Sequence, residues 1–205
     1  MDLRGLRSKL WAQRGSVQTL KDGHLVEHSY PQLARDVGTA LDALSQWGVV
    51  AGMRVGIYAQ NCYEWLVFDL ALIELDAVAV PFTRDFSGAV NEALFDKYRL
   101  SLVLISREMA PQVAPRPSFL AFIDDANPQV CARVLNTGAL DDPDTLSLVF
   151  SSGSAGGIKG IVISRKGAQA CVGPIMEAVG LKPCDKFLLF LPMSNPKLSR
   201  HFQPS

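Results

Sequence analysis

Apolar residues recur along this chain in two rhythms, and the switches between them predict its elements. Near the start, Leu3, Leu6, Leu10 and Trp11 fall at helical spacing with Arg4, Arg7, Lys9 and Arg14 between them, which predicts an amphipathic basic helix within residues 1–16. Residues 17–20 and 25–28 then flank Lys21-Asp22-Gly23-His24, where Asp-Gly supplies the positive φ angles of a tight hairpin turn. Leu33, Val37, Ala40, Leu41, Leu44 and Trp47 return to three- and four-residue spacing. Ser29 and Pro31 are start signals for that helix and Gly48 is a stop. A strand is expected over 54–59. Asn61 is then placed to cap a helix, with Glu64 reaching back in capping-box fashion. That helix is apolar on every face from Trp65 to Ile73 except at Asp69, so it should lie buried between layers, with Asp76 ending it in a left-handed turn.

Further along, residues 78–80, 87–98 and 100–105 read as strand, helix and strand, the theme of parallel α/β folds with right-handed crossovers. Pro111, Pro115 and Pro117 break the next stretch into loop, and 119–123 returns a strand. Residues 124–145 are polar and turn-rich apart from a short apolar run at 130–135. Strands are expected on either side of a glycine-rich segment at 151–160. A helix over 166–179 should stop at Gly180, with Gly173-Pro174 predicting a kink or break. Residues 186–191 read as the last strand and 196–205 as an irregular tail. The pattern as a whole predicts a βαβ-rich α/β fold with an opening hairpin.

Composition narrows the class. The chain has 205 residues, 48% hydrophobic and 20% charged, which excludes a largely disordered protein. Twenty basic residues balance twenty acidic ones, so no net field favours nucleic acid. Cys62, Cys131, Cys171 and Cys184 lack C-x-x-C spacing and read as reduced, mostly buried thiols of a cytoplasmic protein. No signal-peptide core opens the chain, and no apolar run approaches the ~18 residues of a membrane span. His24, His28 and His201 show no metal-ligand spacing, so no metal site is expected. Neither a G-x-S-x-G elbow nor a Ser-His-Asp set is present to support a hydrolase, so no catalytic nucleophile is assigned. The basic first helix fits docking on the body of the domain, and it also fits peripheral contact with an anionic membrane.

The chemistry concentrates in Phe150-Ser151-Ser152-Gly153-Ser154-Ala155-Gly156-Gly157-Ile158-Lys159-Gly160. Phosphate oxygens need several donors at short range; glycines let backbone N–H groups approach, and hydroxyls and an ammonium add donors and charge. A Walker A loop fails on spacing, because Ile158 stands where its second glycine belongs and Gly160, not Ser or Thr, follows Lys159. No G-x-G-x-x-G is present, and Gly157-Ile158-Lys159-Gly160 as a nucleic-acid GXXG loop is a four-residue coincidence.

What remains resembles the signature loop of the adenylate-forming (AMP-binding) superfamily, whose members include acyl-CoA ligases. Its pattern [ST]-S-G-[ST]-T-G-x-P-K-G is matched by Ser151, Ser152, Gly153, Ser154, Gly156, Lys159 and Gly160. Ala155 replaces a usual threonine and Ile158 the usual proline. Residues 52–57, 61–65 and 77–81 resemble, in order, early segments of acyl-CoA ligases, and Leu191-Pro192-Met193-Ser194-Asn195 resembles the L-P-[LM]-x-H segment near the acyl pocket. Other positions depart too: Asp76 stands where the family often has glycine, Arg165 where many relatives have histidine, and Asn195 where many have histidine or an aromatic residue.

The resemblance implies the N-terminal portion of an adenylate-forming large domain over 17–195. It implies attack of a carboxylate on the α-phosphate of ATP, release of pyrophosphate, and thioester formation with coenzyme A, with Mg²⁺ bridging phosphates. Ser151, Ser152, Gly153, Ser154, Gly156, Lys159 and Gly160 would hold the nucleotide's phosphates, and Asn195 would lie beside the acyl group of a fatty or aryl acid. Arg165 would either face phosphate or lie on the surface. The family's adenine-binding segments, hinge and mobile C-terminal domain follow this region, so the 205 residues are expected to be inactive alone and to self-associate or meet a complementing C-terminal half. A non-catalytic nucleotide- or phosphate-binding or interaction module is the second reading.

Overall fold

The computed structural model describes residues 5–82, 92–112, 120–124, 142–152, 158–182, 185–189 and 192–194. Helix α1 (Leu6–Ala12) comes first, and Leu6 and Leu10 are buried beside α2. Strands β1 (Ser16–Lys21) and β2 (His24–Ser29) pair antiparallel as a separate hairpin. Asp22 and Gly23 both have positive φ, 51° and 78°, as the Asp-Gly turn requires.

Helix α2 (Tyr30–Gln46) begins where Ser29 Oγ accepts from the Gln32 N–H at 3.3 Å, with Pro31 in its first turn. Its apolar stripe of Leu33, Val37, Ala40 and Leu44 is buried. Strand β3 (Arg54–Tyr58), helix α3 (Tyr63–Glu74) and strand β4 (Val78–Pro81) form one βαβ unit; helix α4 (Glu92–Tyr98) and strand β5 (Leu100–Ile105) continue the theme. A 3-10 turn (Ala110–Gln112), strand β6 (Leu120–Phe122), strand β7 (Thr145–Ser152), strand β8 (Ile158–Ser164) and helix α5 (Arg165–Val179) complete the described elements.

Six strands make one sheet in the order β6-β5-β3-β4-β7-β8, parallel except for the antiparallel β7–β8 pair. Alternation along the strands divides the core between its faces. Val55, Ile57, Leu102, Leu104 and Ala79 pack with α2 and α3, whereas Tyr58, Val103, Ile105 and Val80 pack with Phe95 and Tyr98 of α4. Burial on both faces explains why these strands read as continuous apolar runs. Helix α3 is sheathed all round, with residues Trp65, Phe68, Leu72 and even Asp69 buried.

The α/β fold, the opening hairpin and the order of elements agree with the sequence pattern, and four expectations do not. Asn61 does not cap α3; the cap is Cys62, whose Sγ accepts from the Trp65 N–H at 3.3 Å. Helix α5 runs unbroken past Pro174, because Ala170, Gly173 and Pro174 all face solvent, where water can take the carbonyl that proline leaves unbonded. Residues 185–189 form no strand: the apolar run finds no ladder partner there, and Leu188 is 79% exposed. Of the two described thiols neither is fully buried: Cys171 is exposed and Cys62 half-buried, while Cys131 and Cys184 lie outside the described residues. The expected start of the helix at 87–91, the apolar run at 130–135 and the tail at 196–205 lie outside the described residues.

Candidate functional site at the carboxyl edge of the sheet

Strands β3 to β7 run parallel, so their carboxyl ends share one edge of the sheet, the place where open α/β sheets bind ligands. The glycine-rich segment leaves from that edge. Phe150 anchors it: its ring stacks on Phe82 at 5.2 Å between centroids and meets Tyr98 edge-on at 4.8 Å. Phe82 follows β4 and Tyr98 ends α4, so two other elements hold the strand immediately before the loop.

The hairpin register then brings the candidate residues together. Phe150 pairs with Gly160, Ser151 with Lys159, and Ser152 with Ile158. Two serines and the lysine therefore occupy the last rungs on either side of the loop. Gly160 also answers to packing: a Cβ there would lie 3.2 Å from Leu148 Cδ1. Gly153, Ser154 and Gly156 lie outside the described residues, as does Asn195.

Asn61, expected to cap a helix, has a different role at this edge. It follows β3, and its Oδ1 accepts from the Met193 N–H at 2.8 Å. That bond tethers the Pro192-Met193-Ser194 segment to the same edge at which β7 ends. Nothing in the local sequence signals it, because the bond joins residues far apart in the chain.

Arg165 corrects both sequence expectations. It neither faces a phosphate site nor lies on the surface: it is 6% exposed, with Nη1 3.3 Å from Asp76 Oδ1 and 3.4 Å from the Ile73 carbonyl oxygen. Its backbone N–H donates to the Asp144 carbonyl at 2.6 Å, and the Lys166 N–H donates to Asp144 Oδ1 at 3.2 Å. Ser164 Oγ, accepting from the Gly167 N–H at 2.9 Å, caps α5 at this point.

A second polar cluster lies where β2, α2 and α3 meet. The Tyr63 hydroxyl donates to Asp36 Oδ2 at 2.6 Å, and the Tyr63 ring stacks on His28 at 3.6 Å. Burial, followed by the Asp36 carboxylate, pushes the Tyr63 phenol well above its usual range. No group of three or more metal-ligating side chains is found among the described residues. None of the described helices is long and apolar enough to cross a membrane.

A mostly parallel sheet covered by helices, with an antiparallel hairpin closing one side, defines an α/β class. More particularly, the chain belongs to the AMP-binding enzyme family, whose match covers residues 11–195. It is 28% identical to a long-chain-fatty-acid–CoA ligase of Mycobacterium tuberculosis over 206 residues, which cover 87% of this chain and 33% of that enzyme. It is 19% identical over 191 residues to a crotonobetaine/carnitine–CoA ligase of Salmonella typhi, covering 83% of this chain and 37% of that one. The chain thus spans about a third of the length of these relatives. Among solved structures, the inhibitor-bound N-terminal domain of FACL13 from Mycobacterium tuberculosis superposes with a TM-score of 0.72 at 20% identity, covering 94% of this chain and 52% of that chain. The O-succinylbenzoate coenzyme A synthetase of Bacillus subtilis, in complex with AMP, gives 0.71 at 15% identity, over 93% and 50% of the two chains.

Proposed function

We propose that the chain supplies the phosphate-holding part of an enzyme that activates a carboxylic acid with ATP and passes the acyl group to coenzyme A. The observation that carries this reading is the β7–β8 hairpin, which sets Ser151 and Ser152 across from Lys159 and Ile158 at the carboxyl edge of a parallel sheet. In such a reaction a carboxylate oxygen attacks the α-phosphorus and the bond to pyrophosphate breaks. The leaving group gathers negative charge, so donors fixed in advance around it lower the barrier. Ser151, Ser152, Ser154 and Lys159, with the N–H groups of Gly153, Gly156 and Gly160, are the residues that would hold it. Mg²⁺ carried on the nucleotide would neutralise part of the phosphate charge.

The acid would lie toward the tethered 192–194 segment, with Asn195 beside it. Relatives that act on long-chain fatty acids and on crotonobetaine or carnitine support an acyl substrate and leave its size open. Since these residues span a third of such relatives, a polypeptide of this length holds phosphate without completing the site. Calorimetry with pyrophosphate and with ATP tests the reading. Lys159→Ala should weaken both ligands about tenfold or more by removing a charge-assisted contact. Equal affinity in wild type and variant would remove Lys159 from the site.

A further inference from the structure

Two departures from the family pattern, Asp76 for glycine and Arg165 for histidine, are brought into contact by the fold, with Nη1 3.3 Å from Oδ1. Each is unfavourable alone. Asp76 has φ 57°, a left-handed conformation in which a residue with a Cβ is strained and glycine is not. Arg165 is a buried cation, costly without a carboxylate beside it. Together each supplies the reason for the other.

Their place in the fold indicates what the pair does. Asp76 stands at the entry to β4, two residues before Val78, and Arg165 directly follows β8. The only described rung between β4 and the hairpin joins Ala79 to Ser147, and the β7–β8 register shifts between Thr145 and Ser147. The base of the hairpin is therefore where its ladder is least regular. From that base, β7 reaches roughly 20–25 Å to the loop, so a tilt of about 5° would move the tip by about 2 Å.

We infer that the Arg165–Asp76 ion pair is a positioning device that sets the seating of the β7–β8 hairpin on β4, and through it the placement of the Ser151–Lys159 rung. The inference rests on the proposed function for its ligand and on the fold alone for its clamp. Arg165 is a positioning residue that acts through the hairpin.

The test uses the 205-residue chain as wild type, Asp76→Gly, Asp76→Asn, Arg165→His and the double variant Asp76→Gly/Arg165→His, which carries the residue types usual in the family. Two readouts are taken: hydrogen exchange resolved by strand, and pyrophosphate affinity by calorimetry. Each single variant should speed exchange in β7 and β8 at least tenfold while β3 and β5 stay within threefold, and should weaken pyrophosphate to match. The double variant should return both readouts to within threefold of wild type. Uniform loss of protection in every strand, additive effects in the double variant, or unchanged hairpin exchange in Asp76→Asn would each overturn the inference. The conservative Asp76→Asn keeps the test decisive if a harsher variant fails to fold. Absence of pyrophosphate binding by the wild type would overturn the ligand half and the proposed function, while strand-resolved exchange would still decide the clamp.

Discussion

Cys62 shows how one side chain can serve structure by staying unreactive. Its sulfur caps α3, and burial, the largest influence, pushes the thiol up to about 12. At pH 8 the thiolate that alkylating agents attack is therefore scarce at Cys62, whereas Cys171 is exposed. Alkylation followed by peptide mass mapping should label Cys171 within minutes and spare Cys62 until the protein unfolds. The raised value also fixes a sign. Below the ordinary thiol range near ~8.5 both states are protonated and the stability is intact; as pH climbs toward 12 the unfolded chain ionises first, and stability falls. Cys62→Ser, which keeps a capping oxygen, should flatten part of that fall in urea titrations between pH 8 and 10; an identical slope in both proteins would refute the assignment. Asn61→Ala should cost about 1 kcal/mol and speed exchange at the Met193 amide, because that donor loses its acceptor. The sequence favoured the wrong neighbour, since asparagine is a preferred N-cap and cysteine is not, and only a contact with residue 193 separates tether from cap.

Among elements, those whose signals are local were legible and those made by distant contacts were not. Helix α2 was marked by Ser29, Pro31 and its apolar stripe, and the first hairpin by Asp22-Gly23, since caps and turns are decided within a few residues. Ser29→Ala should accordingly lower stability by about 1 kcal/mol in denaturant titration, with loss of protection concentrated in the first turn of α2. Strands β3, β4 and β5 were readable because burial on both faces leaves unbroken apolar runs. The same rule misread 186–191, where Phe187 and Leu188 are apolar but exposed. Apolarity alone does not make a strand; a neighbour must offer hydrogen bonds. Of the candidate site, the phosphate-type motif could be read from spacing. The Phe82–Phe150–Tyr98 anchor and the burial of Arg165 could not, because each depends on residues brought together from separate elements.

For the molecule as a whole, the sheet's two edges differ. On the β8 side Val162 is 55% exposed, and Phe187 and Leu188 add apolar surface elsewhere, so the 205-residue chain should self-associate with rising concentration in light scattering. A monomer at all concentrations with no dye-accessible apolar patch would contradict this. The same polypeptide should show no acid-dependent exchange of labelled pyrophosphate into ATP with fatty or aryl acids, because near-attack geometry needs acid and α-phosphate held together. Robust exchange would require machinery beyond the hairpin and the 192–194 segment. The rung between Ala79 and Ser147, the one between these strands among the described residues, also bears on how the molecule assembles in time. The β3-α3-β4 unit closes over a short stretch of chain, and the β7–β8 hairpin closes over a shorter one. Joining the two means closing a loop of roughly 70 residues, the entropically dearer event. Refolding should therefore pass through two preformed halves that dock last, with the carboxyl edge empty of chemistry until the final rung is made.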